Sequence, residues 1–339
     1  MKKIKKATVL GLGSWGTALA SVVIHHADSV TLWGRDEEAV RSVNNTKRNA
    51  RYLPEVPLDP RIKATNDITE ATADADAIVV ALPTQALSAA LAPLKNKLSA
   101  SIPIVSTSKG ICTKSHRFPT AIIQEALGRP SADDLYVLSG PSFAEETANG
   151  APTAVAFVNT SLERATEWGH LFFTPTTRAY PGVDVIGVEV AGAVKNVIAL
   201  AAGASDGLAL GTNARSALVT RGLAEITRFG VALGADPMTF LGLAGMGDLV
   251  LTCTGGLSRN RRLGIMLAEG ISMEQALERL GQVAEGVPTT RSVKSIADEL
   301  GVEMPITDQV HAVLFEGKNP QDALTTLMTR PLHPEHESA

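Results

Sequence analysis

The feature that most limits what this chain can fold into is Gly11-Leu-Gly-Ser-Trp-Gly16, set between two apolar segments. Ala7-Thr-Val-Leu10 before it reads as a short strand, Thr17 to His26 as a helix, and Ser29 to Trp33 as a second strand. Strand, glycine turn, helix and strand in that order give G-x-G-x-x-G its meaning. Gly11 then serves the tight turn, Gly13 lets backbone approach a pyrophosphate, and Gly16 lets the helix pack close on the strand. The helix start offers unpaired N–H groups and a positive dipole end. A site for a nicotinamide or flavin dinucleotide is expected here.

Beyond this unit the pattern keeps alternating. Glu37 to Asn45 reads as helix, Ile62-Lys-Ala64 as a weak strand, and Ala77 to Leu82 as a strand covered on both faces. Gln85 to Leu98 reads as an amphipathic helix. Strands follow at Ile102 to Ser106, Leu135 to Ser139 and Thr153 to Val158, with helices at Pro119 to Leu127 and Leu162 to Phe172. This spacing predicts an α/β fold of the Rossmann type, a doubly wound and largely parallel sheet. Strand signals fade after about Val185. Gly187 to Ala204 reads as one long apolar helix, and helical segments continue with breaks at Gly211, Asp236-Pro237, Gly255-Gly256, Gly270 and Gly301. We therefore expect a nucleotide-binding domain over 1–186, an all-α domain over 187–329 and an unstructured tail over 330–339. The basic start, Met1 to Lys6, reads as a solvated leader into the first strand, because cleavage of a signal peptide there would delete the glycine turn.

Composition narrows the partners. With 339 residues, 45% hydrophobic and 19% charged, the chain can bury two globular cores. A net charge of −4 leaves no basic excess to displace counterions from nucleic acid. Cys112 and Cys253 are too few for a disulfide framework, and the seven histidines are scattered, so a reducing cytoplasmic setting without a metal is expected. The apolar runs fit a globular core better than a membrane span.

Ligands of an open parallel sheet sit beyond the carboxyl ends of its strands. Four loops should meet there: Gly11 to Gly16, Pro83-Thr84, Lys109-Gly110 and Gly140 to Ala144. Lys109 is a cation placed directly past a buried strand. After the second strand comes Trp33-Gly-Arg35-Asp36, where Arg35 suits a 2′-phosphate and Asp36 its absence, so NADP(H) is expected along with NAD(H). Lys195 is the only ionisable side chain between Val190 and Ala204. It reads either as a general acid with a lowered pKa or as a rim lysine snorkelling over apolar surface. Asp248, in a glycine-laced apolar turn, reads either as a helix cap or as the partner of Lys195. In Ser258-Arg259-Asn260-Arg261-Arg262, Arg259 suits a phosphate, while Arg261 or Arg262 reads as a solvated basic face.

Four segments together resemble one family: Gly11 to Ala18, Gly140-Pro-Ser-Phe-Ala-Glu145, Glu189 to Asn196, and Gly245-Met-Gly-Asp-Leu-Val-Leu-Thr-Cys253. They are similar to the NAD(P)-dependent glycerol-3-phosphate dehydrogenases of the bacterial soluble type, in the right order from about Ala7 to Leu327. The resemblance implies a Rossmann domain, then a helical domain like that of 6-phosphogluconate dehydrogenase, usually as a homodimer. It implies reduction of dihydroxyacetone phosphate to sn-glycerol 3-phosphate for phospholipid synthesis. On the matched positions, Ser14, Trp15, Arg35, Lys109, Ala144, Arg259, Val283 and Glu285 would contact NADP(H) or NAD(H). Lys109, Gly140, Ser142, Lys195, Asp248, Ser258, Arg259 and Asn260 would line the substrate, with Lys195 as proton donor and acceptor. Trp15 stands where relatives often carry Phe or Tyr, and the match over Gln282 to Glu285 is the loosest. The alternative is another two-domain reductase acting on 6-phosphogluconate or a hydroxy acid.

Overall fold

In the computed structural model, which describes residues 4–332, 334 and 335, eight strands join into one sheet. They are β1 (Ile4–Leu10), β2 (Ala27–Trp33), β3 (Ile62–Thr65), β4 (Ala77–Val80), β5 (Ile104–Ser106), β6 (Leu135–Ser139), β7 (Thr153–Val158) and β8 (Thr177–Gly182). Their order is β3-β2-β1-β4-β5-β6-β7-β8. The chain builds outward from β1 to β3, then crosses back to lay β4 on the other side of β1. That reversal is a topological switch point, and the glycine turn leaves β1 at this place. Registers align the strand ends: Leu10 lies opposite Trp33 and Val80, Val80 opposite Ser106, and Ser106 opposite Val137.

Successive strand residues face opposite sides, so a strand buried on both faces is apolar throughout. Val9, Val79 and Val105 enter one core cluster with Leu19 and Val23 of the first helix. Leu10, Ile78, Val80 and Ile104 enter another, with Leu87 and Ile123. The fold is the expected Rossmann sheet covered by helices, followed by a helical region.

The chain departs from the expected pattern at four places. β7 runs antiparallel to β6 and β8 runs parallel to β7, so the last two strands oppose the others. β8 was not expected: only one of its six residues is buried and it carries Pro181, as a sheet-edge strand tolerates. The helix expected over Gln85 to Leu98 is instead Leu87–Leu91 flanked by two 3₁₀ turns, because Pro93 cannot donate to a continuing helix. A short helix, Ala144–Ala148, follows the loop after β6.

The helical region is organised on Val185–Gly207. By length and composition this helix could cross a membrane, yet 83% of its most apolar window is buried inside the protein. The helix Arg259–Ala268 packs across it at very short range. A Cβ on Gly203 would overlap the Arg261 carbonyl oxygen, and a Cβ on Gly264 would overlap that of Leu200. Backbone therefore meets backbone at the crossing. In the tail, Arg330 pairs with Glu303 at 3.1 Å and Arg221 donates to the Glu335 carbonyl at 2.9 Å. Of the expected leader and unstructured tail, residues 1–3, 333 and 336–339 lie outside the described residues, and Ile4 to Lys6 already belong to β1.

Candidate active site

The glycine turn has one closed side and one open side. Gly11 has φ +135°, and a Cβ there would overlap the Ala81 carbonyl oxygen. A Cβ on Gly16 would overlap the Gly11 carbonyl oxygen, whereas one on Gly13 would meet nothing within 4 Å. Gly13 also begins the helix Ser14–Val23 without a side-chain cap, so the first-turn N–H groups are left for a ligand. Trp15 and Ala144 pack against the same core cluster beside this turn. The Trp15 Nε1 is buried without a hydrogen-bond partner among the described residues. An open backbone nest at a helix start fits the pyrophosphate of a dinucleotide. The Ser14 hydroxyl donates to the Tyr52 carbonyl at 2.9 Å, which ties the following loop to the turn. Arg35 is exposed past the end of β2. Asp36 accepts from the Glu38 and Ala39 N–H groups, capping the next helix, and pairs with Arg51 at 2.6 Å.

Lys109, just after β5 on the same edge, and Lys195 of the long helix close on one carboxylate, that of Asp248. Lys109 Nζ donates to Asp248 Oδ2 at 2.6 Å, and Lys195 Nζ donates to Asp248 Oδ1 at 2.6 Å. Each oxygen thus holds one ammonium. The side chain of Asp248 is 2% exposed and that of Lys195 7%, while Lys109 at 21% reaches into the opening. Burial pushes Lys195 down to about 8, with Asp248 opposing and Lys109 reinforcing the shift. Burial alone would raise the Asp248 carboxyl, but the two lysines hold it below the usual carboxylate range. Of the two readings open for Lys195, the rim lysine is thereby excluded. Asp248 does not cap its helix either: Gly247 precedes it there, after a single π turn over Leu243–Gly247. That wide turn passes so close to Phe240 that a Cβ on Gly245 would overlap its carbonyl.

Sequence reasoning missed the remaining partner of Lys195. The Thr252 hydroxyl accepts from Lys195 Nζ at 2.7 Å and donates to the Asp248 carbonyl at 2.6 Å. Its signal was the i, i+4 spacing from Asp248 on one helix face. Glu189 was missed as well. It accepts from the Thr120 N–H at 2.9 Å and from the Thr120 hydroxyl at 2.7 Å, which ties the start of the helix Pro119–Leu127 to the long helix. Burial pushes its carboxyl up to about 7 against those two donors.

The residues expected at the phosphate end divide by task. Ser258 caps the helix Arg259–Ala268, its hydroxyl accepting from Arg261 N. Among the described residues Arg259 donates to Gln282 Oε1, at 3.5 Å. Asn260 is committed to the protein: its Nδ2 donates to Asn196 Oδ1 at 2.8 Å and its Oδ1 accepts from Gly286 N at 2.9 Å. Of the two arginines read as a solvated basic face, Arg262 is exposed, whereas Arg261 pairs with Asp206 at 2.7 Å. Gly140, at φ +150°, offers its carbonyl to Lys109 Nζ at 3.3 Å and to the Ser142 hydroxyl at 3.0 Å. Val283 is 49% exposed. Glu285 is half-buried, accepts from Thr84 N at 3.2 Å, and desolvation of its carboxyl pushes it up to about 7.

Residues 6–165 match the model of the NAD-dependent glycerol-3-phosphate dehydrogenase N-terminus, and residues 184–325 match that of its C-terminus. A glycerol-3-phosphate dehydrogenase [NAD(P)+] of Leptospira biflexa is 47% identical over 330 residues, covering 97% of this chain and 99% of that protein. One from Anaeromyxobacter dehalogenans is likewise 47% identical over 330 residues, with 97% and 99% covered. The crystal structure of glycerol-3-phosphate dehydrogenase from Coxiella burnetii superposes with a TM-score of 0.91 at 38% identity, over 96% of this chain and 99% of that one. The enzyme from Saccharomyces cerevisiae superposes at 0.82 and 27% identity, over 95% and 99%. Matched in both halves of its length, the chain belongs to the NAD(P)-dependent glycerol-3-phosphate dehydrogenases, a family of oxidoreductases.

Proposed function

We propose that the chain reduces dihydroxyacetone phosphate to sn-glycerol 3-phosphate, reversibly, with Lys195 as the proton donor. The observation that carries this reading is the pair of lysines on the buried Asp248 carboxylate, at the sheet edge that also bears the glycine turn. Ser14, Trp15, Arg35, Ala144, Val283 and Glu285 are assigned to the cofactor, with the glycine backbone on its pyrophosphate. A bound nicotinamide supplies the hydride to the C2 carbonyl. Negative charge then builds on the carbonyl oxygen, and two ammonium groups fixed on one carboxylate stabilise it without reorganising. Lys195 passes a proton from Nζ to that oxygen, and its pKa of about 8 suits the transfer near neutrality. Asp248 and Thr252 hold Nζ in place. Arg259, with the loop that Ser258 and Asn260 brace, anchors the phosphate away from the reacting carbon. Gly140 and Ser142 line the substrate beside Lys109.

In this reading residues 1–186 form the nucleotide-binding domain and 187–329 the catalytic helical domain. The enzyme works as a cytoplasmic homodimer that supplies phospholipid synthesis, an assignment supported by the family resemblance. The test is the initial rate of NADPH oxidation with dihydroxyacetone phosphate, beside activity with a 2-keto acid and 6-phosphogluconate. Only the first should turn over efficiently. In Lys195→Met, kcat should fall at least ~10²-fold with nucleotide affinity nearly unchanged. Equal activity with a 2-keto acid, or near-normal turnover in the variant, refutes the assignment.

A further inference from the structure

The nucleotide end of the site holds an arginine that the sequence pattern did not single out. β2 ends beside the glycine turn, with Gly11 N donating to the Trp33 carbonyl at 2.9 Å. Three residues on, Asp36 points one oxygen at the N–H groups of the helix it caps and the other at Arg51 NH1, 2.6 Å away. Arg51 belongs to a segment fastened to the glycine turn at several points. Asn49 Nδ2 donates to the Leu12 carbonyl at 3.0 Å and to the Thr17 hydroxyl at 2.8 Å, and Asn49 Oδ1 accepts from Tyr52 N. The Ser14 hydroxyl closes the same segment onto Tyr52, over whose ring the Arg51 guanidinium lies at 5.3 Å. The loop thus delivers an exposed cation to the carboxylate at the strand end.

A carboxylate at the end of the second strand normally binds the ribose 2′-hydroxyl and repels a 2′-phosphate. Here the capping task keeps Asp36 in place, so its charge must be dealt with where it stands. We propose that Arg51 is a specificity-determining residue for the cofactor: by pairing with Asp36 it cancels the charge that would exclude a 2′-phosphate, and so leaves Arg35 free to bind one. The proposal rests on the cofactor lying over the glycine turn. Specificity here is a difference of two affinities, set by removal of a repulsion as much as by a new contact.

The test is nucleotide binding followed by the fluorescence of bound NADPH and NADH, with 2′-phospho-AMP and AMP as competing probes. Arg51→Ala should weaken NADPH and 2′-phospho-AMP about tenfold while NADH and AMP stay within about twofold, since the uncovered Asp36 charge opposes only ligands that carry a 2′-phosphate. Asn caps helices as well as Asp does, so Arg51→Ala with Asp36→Asn should bring NADPH back to within about threefold of the wild type. Equal weakening of all four ligands, no change, or a double variant as weak as the single one overturns the proposal. Gly13→Asp, whose side chain meets open space in the protein, is measured beside them. It should abolish binding of both nucleotides. If it leaves both intact, the cofactor does not lie at the turn, and that reading fails whatever Arg51 does.

Discussion

The glycine turn and the two-lysine cluster share one sheet edge but are built by opposite means. The turn is six consecutive residues whose work is done by backbone, and what matters about Gly11 and Gly16 is that no side chain is there. The cluster draws Lys109, Lys195, Asp248 and Thr252 from positions as much as 143 residues apart, and its work is done by side-chain atoms stripped of water. A turn made of backbone tolerates exchange of the side chains around it. A cluster of buried charges does not, since removing one member strands another. Recognition and catalysis in this molecule should therefore fail separately.

Asp248→Asn is the severest way to separate them. It leaves two neighbouring ammonium groups without a counter-charge, so kcat/KM should drop at least ~10³-fold and unfolding in urea should show a loss of about 3 kcal/mol. Binding of NADPH, followed by fluorescence, should stay within about threefold. A collapse of nucleotide affinity in this variant means that the two regions are not independent.

Thr252→Val probes the cluster more gently. The hydroxyl accepts a hydrogen bond from the Lys195 ammonium, so its loss disfavours the charged form and lowers a pKa already pushed to about 8. Reduction needs the protonated lysine, and its rate falls as pH rises through that value. The basic limb of the pH–rate profile should move to lower pH, with kcat near neutrality reduced about tenfold. A limb that stays in place, with a uniformly slower enzyme, assigns Thr252 a packing role only.

The smallest effect is expected at Glu189, which joins the two halves without touching the reacting atoms. Its carboxyl is raised from 4.5 to about 7 in the folded protein, so the folded state binds the extra proton between those values. Its contribution to stability is complete below pH 4.5 and is lost as pH rises through 7. Glu189→Gln should remove that slope, narrowing the stability difference between pH 5 and 8 by about 1–3 kcal/mol in denaturant titrations. Nucleotide affinity should not change. A slope that persists in the variant places the titration on another group.

What was readable in the sequence follows the same division. The glycine turn was readable because strand, turn and helix are contiguous and each glycine answers a local need. Strand ends were readable from apolar runs, which placed Lys109 on the right edge. The pairing of Asp248 with Lys195 was readable only as one of two alternatives, because nothing local distinguishes an aspartate that caps a helix from one that meets two lysines. Thr252 showed only its i, i+4 spacing from Asp248, and the task of Glu189 arises where a distant helix brings Thr120 to it. β8 was hidden by its exposed residues and Pro181, which resemble a loop. Asn260 and Arg261 sit in a stretch that looks uniformly polar, yet one braces Gly286 and the other is neutralised by Asp206.

The contact of bare backbones at Gly203 and Gly264 acts as a calliper. The long helix carries Lys195 two turns before the crossing, and the other helix begins at Arg259, just ahead of it. The jaw opening between Lys195 and Arg259 is therefore gauged by van der Waals radii of main-chain atoms, which no rotamer can adjust. A single methyl group at either glycine would pry the jaws wider, and the enzyme would misjudge the length of a three-carbon ligand while keeping every residue that handles it.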